Sequence, residues 1–425
     1  MCLFLPNLYL FNYITGLNTY LAEIDMCGFI TSFILKIQLM PMKPTIFVLC
    51  FIILFTCSKN SNARDHNIPD VKTFTFKEAG GVLEDTVFFK SKKIIPLETN
   101  DLALIGQIGR ICMAEDTLFV LDQQSNSVIV YNKDGKYVNK IRNLGKGPKE
   151  YINIGDICVD NLNKELVVLC TYPSKVQFYS YQGKFLREES LGERYYSYLG
   201  TDGQYIYFHD NTNVNKKKEV AVYDRQLNHK ADVLEHGKVF ENNELGTVTL
   251  FGHGNSMTQD SSIHIVRGFD NTIYEAKYGK VYPKYQLDFK ECTLPESLLE
   301  SKMKPFEFLD LCREKHYVIS LEEVIENSRL VLFTTNIGLF ICDKQSGKMT
   351  RHLFLLDSTV DVGSSNVQVI GNTNKIVVAW PVARLKNMID VSLEHSSKNK
   401  LKMEFINKLN AMDDENNPIL FIYEL

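Results

Sequence analysis

The chain has 425 residues, of which 45% are hydrophobic and 11% aromatic, so it can bury a large core and is not a disordered protein. Its formal net charge is −4 at pH 7, which gives no electrostatic footprint for binding DNA or RNA. We therefore expect a folded protein without a nucleic-acid partner.

The segment before Cys57 has the features of an export signal rather than of a folded domain. From Met42 the chain carries a lysine, an apolar run over 46–55, and then Thr56 and Cys57. A basic start followed by an apolar run of about ten residues is typical of a secretion signal and is short for a membrane span. The sequence predicts a lipoprotein signal peptide over 42–56 and a membrane anchor through lipid attached to Cys57. An uncleaved apolar anchor, with Cys57 incidental, is the alternative.

The segments on either side of this signal show no domain pattern. Residues 1–41 are apolar and irregular, and we interpret them as a mis-annotated translation start; a true N-terminal membrane segment is the alternative. Residues 57–75 are polar and lack periodicity, which is typical of a flexible tether. The folded body is predicted over 76–425. We expect it in the cell envelope, facing the periplasm or on the outer-membrane surface.

A strand–turn–strand pattern recurs along this body. The clearest copy is VIVYNKDGKYVNKI at 128–141, where runs of valine, isoleucine and tyrosine flank a turn with glycine. Further copies begin at 176, 220, 272 and 339, and a truncated copy, LFIYEL, ends the chain at 420–425. The early spacing of about 44 to 51 residues matches one four-stranded propeller blade.

Each hairpin is preceded by two further strand candidates, such as 154–160 and 165–172. Their consecutive apolar residues indicate strands that are covered on both faces, as stacked blades would provide. The last hairpin lacks an outer strand, and an unassigned strand, KKIIPLET, lies at 92–99. We predict an all-β, six-bladed β-propeller with short helical insertions, whose ring is closed by this N-terminal strand in the last blade.

Two insertions have helical patterns. In the segment 293–316, Thr293 and Glu296 form a predicted capping box, and Pro305 divides the segment into two short helices. The segment 397–412 places Leu401, Phe405, Ile406 and Leu409 on one face, which predicts an amphipathic helix on the rim or over one end of the channel.

Four sequence features together resemble a known family. They are the lipobox-like Leu54 to Cys57, the strand Pro96-Leu97-Glu98, the connection Gly145-x-Gly147-Pro148-x-Glu150-Tyr151, and the ending NNPILFIYEL at 416–425. This combination resembles the six-bladed β-propeller lipoproteins of Bacteroidetes, which are NHL-like in architecture and mostly of unknown function. Lys149 replaces a glycine found in many relatives. The resemblance covers about 90–425 and implies an exported envelope protein, but it supplies no catalytic residues.

Motifs for catalysis or metal binding are absent from the sequence. There is no GxxxxGK[ST] loop, HExxH, GxSxG or CxxC pair, so we predict no cofactor, metal or catalytic residue. Cys158, Cys170 and Cys342 lie in apolar strands and are expected to be buried. Cys292 and Cys312 flank the helical insertion and could form a disulfide.

The candidate ligand site is predicted from propeller topology. Connections between blades cross one end of the ring, so residues in 145–151 and 191–198 should meet near the channel mouth. The candidates are Lys146, Lys149, Glu150, Tyr151, Arg194, Tyr195 and Tyr196, with His253 on a predicted inner strand. In the alternative interpretation the glycines and Pro148 only shape the turn, the charges are solvated, and His253 is a hydrogen-bonded turn histidine.

Two functional classes follow. The first is a binding or scaffold module of the envelope that holds a glycan, a peptide or a partner protein. The second is a propeller enzyme, a lyase or hydrolase, with its site in the central channel. An enzyme should present several ionisable side chains on inner strands, and the strand candidates at 154–160 and 316–324 carry few, so the sequence favours binding.

Overall fold

The computed structural model describes residues 71–210, 217–242, 246–248, 257–260, 262–393 and 400–425, and burial is described for fewer residues near 241–256 and 390–401. The predicted signal peptide, Cys57, the tether up to residue 70 and His253 lie outside the described residues. Residues 1–41, interpreted as a mis-annotated translation start, lie outside them as well.

The described part begins with two strands and one helical turn that precede the repeats. These are β1 (Lys72–Glu84), α1 (Asp85–Phe88) and β2 (Ser91–Pro96). The first sheet contains β3 (Ile108–Ala114), β4 (Thr117–Asp122), β5 (Ser127–Asn132) and β6 (Tyr137–Ile141). The second contains β7 (Asn153–Asp160), β8 (Glu165–Tyr172), β9 (Ser174–Ser180) and β10 (Phe185–Ser190). The third contains β11 (Tyr198–Thr201), β12 (Tyr205–His209), β13 (Lys218–Asp224) and β14 (His229–Glu235).

The second half of the chain continues the same meander. A small pair, β15 (Phe240–Asn242) and β16 (Gly246–Val248), precedes β17 (Met257–Gln259), β18 (Ile263–Ile265), β19 (Thr272–Lys277) and β20 (Lys280–Asp288). The fifth run contains β21 (Leu321–Glu326), β22 (Leu330–Thr335), β23 (Gly338–Asp343) and β24 (Lys348–Asp357), with β25 (Val362–Ser364) paired to β24. The last contains β26 (Gln368–Ile370), β27 (Lys375–Trp380) and β28 (Ile419–Glu424). The repeated hairpins predicted from the sequence are therefore confirmed as strand pairs.

These sheets stack side by side as a β-propeller. The inner strands β3, β7, β11, β17, β21 and β26 contact one another in that order, and β26 returns to contact β3. Each large hydrophobic core lies between two neighbouring sheets rather than inside one; for example, Phe119 of β4 and Val168 of β8 share a core. Strands such as β8 are thus apolar on consecutive residues because both of their faces are covered.

The predicted closing strand pairs with the last strand of the chain. β2 runs antiparallel to β28, with Lys92 opposite Tyr423 and Ile95 opposite Leu420. This pairing completes the last sheet in the order β2-β28-β27-β26. The edge that the chain end would leave open is therefore covered by a strand from near its start.

β1 is an architectural element that the sequence did not reveal. It lies parallel between the outer strands β20 and β24 and so joins the fourth and fifth sheets. Phe74 and Phe76 on one face are buried between these sheets. The segment KTFTFKEAGGVLE contains a glycine pair and several charges, which weaken its resemblance to a strand in sequence.

The helical insertions are only partly as predicted. The capping box of Thr293 and Glu296 is wrong, because the region forms only 3₁₀ turns at Lys290–Cys292 and Glu296–Leu298, and Pro295 precedes the second turn without a side-chain cap. Helix α2 (Pro305–Lys315) begins at Pro305 as expected. The chain then adds α3 (Val382–Leu393), which was not predicted, and α4 (Lys400–Asn410). Ile406 and Leu409 of α4 are buried against the last two sheets.

Candidate functional site

The two ends of the propeller differ in the connections they carry. We call the end with the connections between sheets the link end, and the opposite end, where the turns after the inner strands lie, the turn end. Residues 145–151 precede β7 at the link end, and Asp160 ends β7 at the turn end. At about 3.3 Å per residue the two ends of this strand are roughly 25 Å apart, so they present separate surfaces.

The first predicted connection is held together by its own side chains. Glu150 accepts the N–H of Gly147 at 2.9 Å, and a Cβ on Gly145 would lie 2.0 Å from Glu150 Oε2. Tyr151 is fully buried and its hydroxyl donates to the carbonyl of Ile141 at 3.2 Å. Glu150 and Tyr151 therefore shape the turn and fill the core, which agrees with the alternative interpretation of this motif.

The two lysines of this connection point outward. Lys146 Nζ lies 5.3 Å from the ring centroid of Tyr172, and Lys149 Nζ lies 5.2 Å from that of Phe185. The backbone N–H of Lys149, at a φ of 63°, donates to Glu188 Oε1 at 3.0 Å. The connection thus lies against the outer strand of the second sheet.

The second predicted connection, at 191–198, also contains both core and surface side chains. Tyr196 is buried, stacks on Phe208 with ring centroids 4.9 Å apart, and shares a hydrogen bond with the Tyr223 hydroxyl. Arg194 donates to the same hydroxyl at 3.2 Å, whereas Tyr195 is 54% exposed. Lys146, Lys149, Arg194 and Tyr195 lie on the surface and stay predicted ligand-binding residues, while Tyr151 and Tyr196 are core residues.

The central channel is crossed by buried ionisable side chains. Arg110 of β3 and Asp156 of β7 pair through Nε and Oδ1 at 2.5 Å, and Arg110 Nη2 donates to the Met257 carbonyl of β17 at 2.9 Å. Asp156 Oδ2 accepts the N–H of Leu199 in β11 at 2.9 Å. Burial by itself would lower the pKa of Arg110, but the negative charge of Asp156 raises it.

Glu323 makes an equivalent link on the other side of the ring. Its Oε2 accepts the N–H of Val369 in β26 at 2.7 Å, and the residue is only 1% exposed. The inner strands therefore carry more ionisable groups than the sequence suggested, because Arg110 lies outside the strand candidates at 154–160 and 316–324. These groups join neighbouring sheets and are shielded from solvent, so their arrangement is structural.

A cavity of about 540 Å³ opens at the turn end. It lies where turns of the second, third and fourth sheets converge, and its polar lining includes Asp160, Asp202, Asp260, Glu275 and Asn372. Tyr278 and Leu162 also line it, and they are 56% and 75% exposed. A second cavity of about 540 Å³ shares Leu162, Gly203 and Gln204 with the first, so the two adjoin.

Hydrogen bonds across the channel close the floor of this cavity. The N–H of Asn372, from the last sheet, donates to the carbonyl of Gln259 at 2.5 Å. The Gln259 side chain accepts the N–H of Thr201 at 3.1 Å and donates to the Val159 carbonyl at 3.3 Å. Four sheets thus meet at Gln259, and the cavity has a floor made of side chain and backbone.

The sequence did not identify these cavity residues. Asp160 ends an inner strand, and Asp202 and Asp260 each directly follow one, at places where aspartate is common simply as a turn former. A weak signal was present in the repeat, because an acid or asparagine is the last residue of each inner strand or follows it within two residues: Glu115, Asp160, Asp202, Asp260, Glu326 and Asn372. Aligning the copies at the ends of their inner strands would have found it.

An ion network lies beside the cavity, between the fourth and fifth sheets. Glu326 pairs with Lys284 and Lys344 and accepts a hydrogen bond from the Tyr285 hydroxyl. His264 Nε2 lies 3.8 Å from Glu326 Oε1. Burial alone would raise the pKa of Glu326, but His264 and the two lysines lower it to about 2.

We expect this network to make stability depend on pH in the acid range. Because the folded pKa of Glu326 is about 2 and its ordinary value is 4.5, its stabilising effect is present above pH 4.5 and is lost as the pH falls toward 2. Glu326→Gln should lower the free energy of unfolding by roughly 3 kcal/mol at pH 7 and by much less near pH 2. Urea unfolding at both values measures this, with exposed Glu314→Gln as the control; an equal loss at both values would contradict it.

The next features concern metal ligands, cysteines and apolar helices within the described residues. No group of three or more His, Cys, Asp or Glu side chains there could hold a metal ion. The described cysteines, Cys112, Cys158, Cys170, Cys292, Cys312 and Cys342, are all buried free thiols, so Cys292 and Cys312 are not joined. None of the helices in the described ranges has the length and apolar character needed to span a bilayer.

Comparison with solved structures finds similar folds. An exported protein of Bacteroides fragilis is 20% identical, with a TM-score of 0.63 over 83% of this chain and 99% of that chain. A DUF4221 family member of Bacteroides vulgatus is 10% identical, with a TM-score of 0.47 over 79% and 97% of the two chains. The Pan2 WD40 domain of Neurospora crassa is 10% identical, with a TM-score of 0.39 over 75% of each chain. At such identities the first similarity concerns the fold alone.

Comparison at the level of sequence identifies a family. No curated protein matches this chain. A family model described as a domain of unknown function, DUF4934, matches residues 74–424. This match runs from β1 to the last residue of β28 and therefore includes the ring, its closing strand and the turn-end cavity. The chain belongs to the DUF4934 family.

Proposed function

We propose that this chain is a six-bladed propeller lipoprotein of the cell envelope that holds a ligand, without catalysis, in the turn-end cavity. The observation that carries the proposal is the cavity of about 540 Å³, which lies within the size range of ligand sites and has polar groups converging on it. The cyclic contacts of the inner strands support the count of six blades. The ligand is a glycan, a peptide or a partner protein.

The envelope location is supported by two observations. The chain has a signal-like segment at 42–56 followed by Cys57, and a structural relative from Bacteroides fragilis is described as exported. We expect labelled palmitate to enter the full chain when it is expressed in a bacterial host with lipoprotein processing, and not to enter Cys57→Ser. Equal labelling of both chains would exclude the anchor at Cys57.

Binding is favoured over catalysis because buried ionisable side chains of the inner strands are already engaged in contacts between sheets. Three of those on the inner strands, Arg110, Asp156 and Glu323, are 3%, 2% and 1% exposed and contact neighbouring sheets. A substrate in the channel would have to displace these contacts. The polar groups that line the turn-end cavity lie instead at the strand ends and turns of one end of the ring, where a ligand can reach the cavity without breaking the propeller.

Filling the cavity tests its use as a binding site. Gln204 is exposed and lines both adjoining cavities, so Gln204→Trp should block them while leaving the fold intact. We expect this change to weaken ligand binding at least tenfold by calorimetry. The matched control is Gln182→Trp, at an exposed turn outside the cavity lining. Binding that is unchanged by Gln204→Trp would place the ligand elsewhere and overturn the proposal.

A further inference from the structure

We infer that the second sheet carries a surface that docks on a bilayer with anionic headgroups. This surface, which we call the link patch, lies where the connections 142–149 and 191–195 meet the end of β8. It consists of Arg142, Leu144, Lys146, Lys149, Tyr172 and Tyr195. The contact is separate from the turn-end cavity and goes beyond the proposed function. It takes from that proposal only that the chain is held at a membrane.

The three segments of the link patch lie side by side. The N–H of Ile152, which follows the first connection, donates to the Tyr172 carbonyl at 2.8 Å. The N–H of Leu191, which begins the second connection, donates to the Ser174 carbonyl at 3.0 Å. Both connections are therefore fixed against the turn between β8 and β9, and their exposed side chains form one surface rather than scattered positions.

The link patch has an excess of positive charge. The segment RNLGKGPK at 142–149 contains three basic residues, all of them exposed, and no acid. The adjoining Glu188 is paired with Lys175 at 2.8 Å. In the second connection Glu193 and Arg194 are both exposed and balance each other in charge. The excess therefore comes from the first connection, and it is complementary to anionic lipid headgroups, which attract basic residues within a Debye length of the surface.

Large apolar and aromatic side chains stand among these cations. Leu144, Tyr172 and Tyr195 are 43%, 45% and 54% exposed. Lys146 Nζ lies 5.3 Å from the ring centroid of Tyr172, so a cation and an aromatic ring are presented together. Tyrosine is enriched at the interface between bilayer and water, and a lysine beside it can extend its ammonium group to a phosphate. This mixture favours a lipid surface over an acidic protein segment, which charge alone would attract.

The chain before the described residues brings this surface within reach of a membrane. Residues 58–70 separate the predicted anchor at Cys57 from the first described residue, Val71. Fully extended, they span at most roughly 45 Å, which exceeds the roughly 25 Å between the two ends of the ring. The tether therefore lets any face reach the bilayer, and the side chains of the surface decide which one does. Contact through the link patch leaves the turn-end cavity open at the other end of the ring.

Fluorescence quenching by brominated lipid tests this contact. The chain has one tryptophan, Trp380, which is buried, so Tyr195→Trp adds a single exposed reporter to the link patch. The full chain is reconstituted into vesicles of equal parts brominated phosphatidylcholine and phosphatidylglycerol, and into vesicles of brominated phosphatidylcholine alone. We expect the reporter to be quenched, and its emission to shift to shorter wavelength, in the anionic vesicles. The matched reporter is Gln204→Trp, at the turn end, which should not be quenched.

Removing two cations tests the electrostatic part of the contact. Adding Lys146→Gln/Lys149→Gln to the Tyr195→Trp chain should reduce the quenching at least threefold, because each basic residue near an anionic surface contributes to the attraction. The matched control is Lys133→Gln/Lys164→Gln, which removes two exposed lysines at the turn end and should leave the quenching unchanged. Raising the salt concentration should also reduce the quenching, since salt screens exposed charges. Thermal unfolding of each variant confirms that its fold is intact.

The other outcomes overturn the inference. Equal quenching of Tyr195→Trp and Gln204→Trp, or quenching of neither, would mean that the link patch does not contact the bilayer. Quenching that neither vesicle charge nor the lysine substitutions change would exclude an electrostatic contact. An emission shift of Tyr195→Trp with an acidic decapeptide, without quenching by vesicles, would assign the patch to a protein partner. None of these results decides the use of the cavity, which ligand binding tests, or the anchor at Cys57, which palmitate labelling tests.

Discussion

Replacing Arg110 by methionine should destabilise the propeller by about 3 to 5 kcal/mol, because it leaves Asp156 as an unpaired charge in the centre of the ring. Asp156 is 2% exposed, and Arg110 is the cation that pairs with it, at 2.5 Å. The change also removes the donor to the Met257 carbonyl. Urea unfolding followed by fluorescence measures the loss at pH 7.

Adding a second substitution shows whether the unpaired charge of Asp156 or the changed side-chain volume at position 110 causes the loss of stability. In Arg110→Met/Asp156→Asn the buried charge is gone, while an amide oxygen can still accept the N–H of Leu199. We expect the double variant to recover about half of the lost free energy, or 1.5 to 2.5 kcal/mol. The single variant should also lose stability as pH rises from 4 to 7, since its buried carboxyl has a raised pKa and must ionise. A double variant no more stable than the single one would argue against the charge as the cause.

Asn417→Ala should open the closure of the ring. Asn417 is 2% exposed; its Oδ1 accepts the N–H of Ile105 at 2.9 Å, and its Nδ2 donates to the carbonyl groups of Glu98 at 2.8 Å and Ala103 at 2.5 Å. Alanine would leave these backbone groups buried without partners. The expected loss is about 2 to 4 kcal/mol, at 1 to 3 kcal/mol for each unsatisfied buried group with partial relaxation.

Hydrogen exchange locates the effect of this substitution. Because Asn417 connects the segment after β2 to the segment before β28, exchange should accelerate in β2 and β28 before it does in β8. The neighbouring Asn416→Ala is the control and should change stability by less than about 0.5 kcal/mol. Uniform acceleration over all sheets would mean that Asn417 stabilises the whole fold rather than its closure.

The family-like motifs have structural roles that explain their presence in the sequence. Glu150 closes a turn with Gly147, Tyr151 fills the core, and Asn417 ties the two ends of the propeller together. Residues that stand out in a sequence can thus do so because backbone geometry requires them. The cavity residues stand out less, since an aspartate in a turn looks the same whether or not it faces a ligand.

Local pattern alone was enough to predict the strands of the repeated hairpins, their pairing and the strand that covers the last edge. Short apolar runs and turn residues act over a few residues, so VIVYNKDGKYVNKI already specifies a hairpin. The position of β1 between β20 and β24, the pairing of Arg110 with Asp156 and the cavity at the turn end depended on the tertiary structure. Each of these joins residues that are far apart in sequence, and only the stacking of the sheets around a ring decides which of them meet.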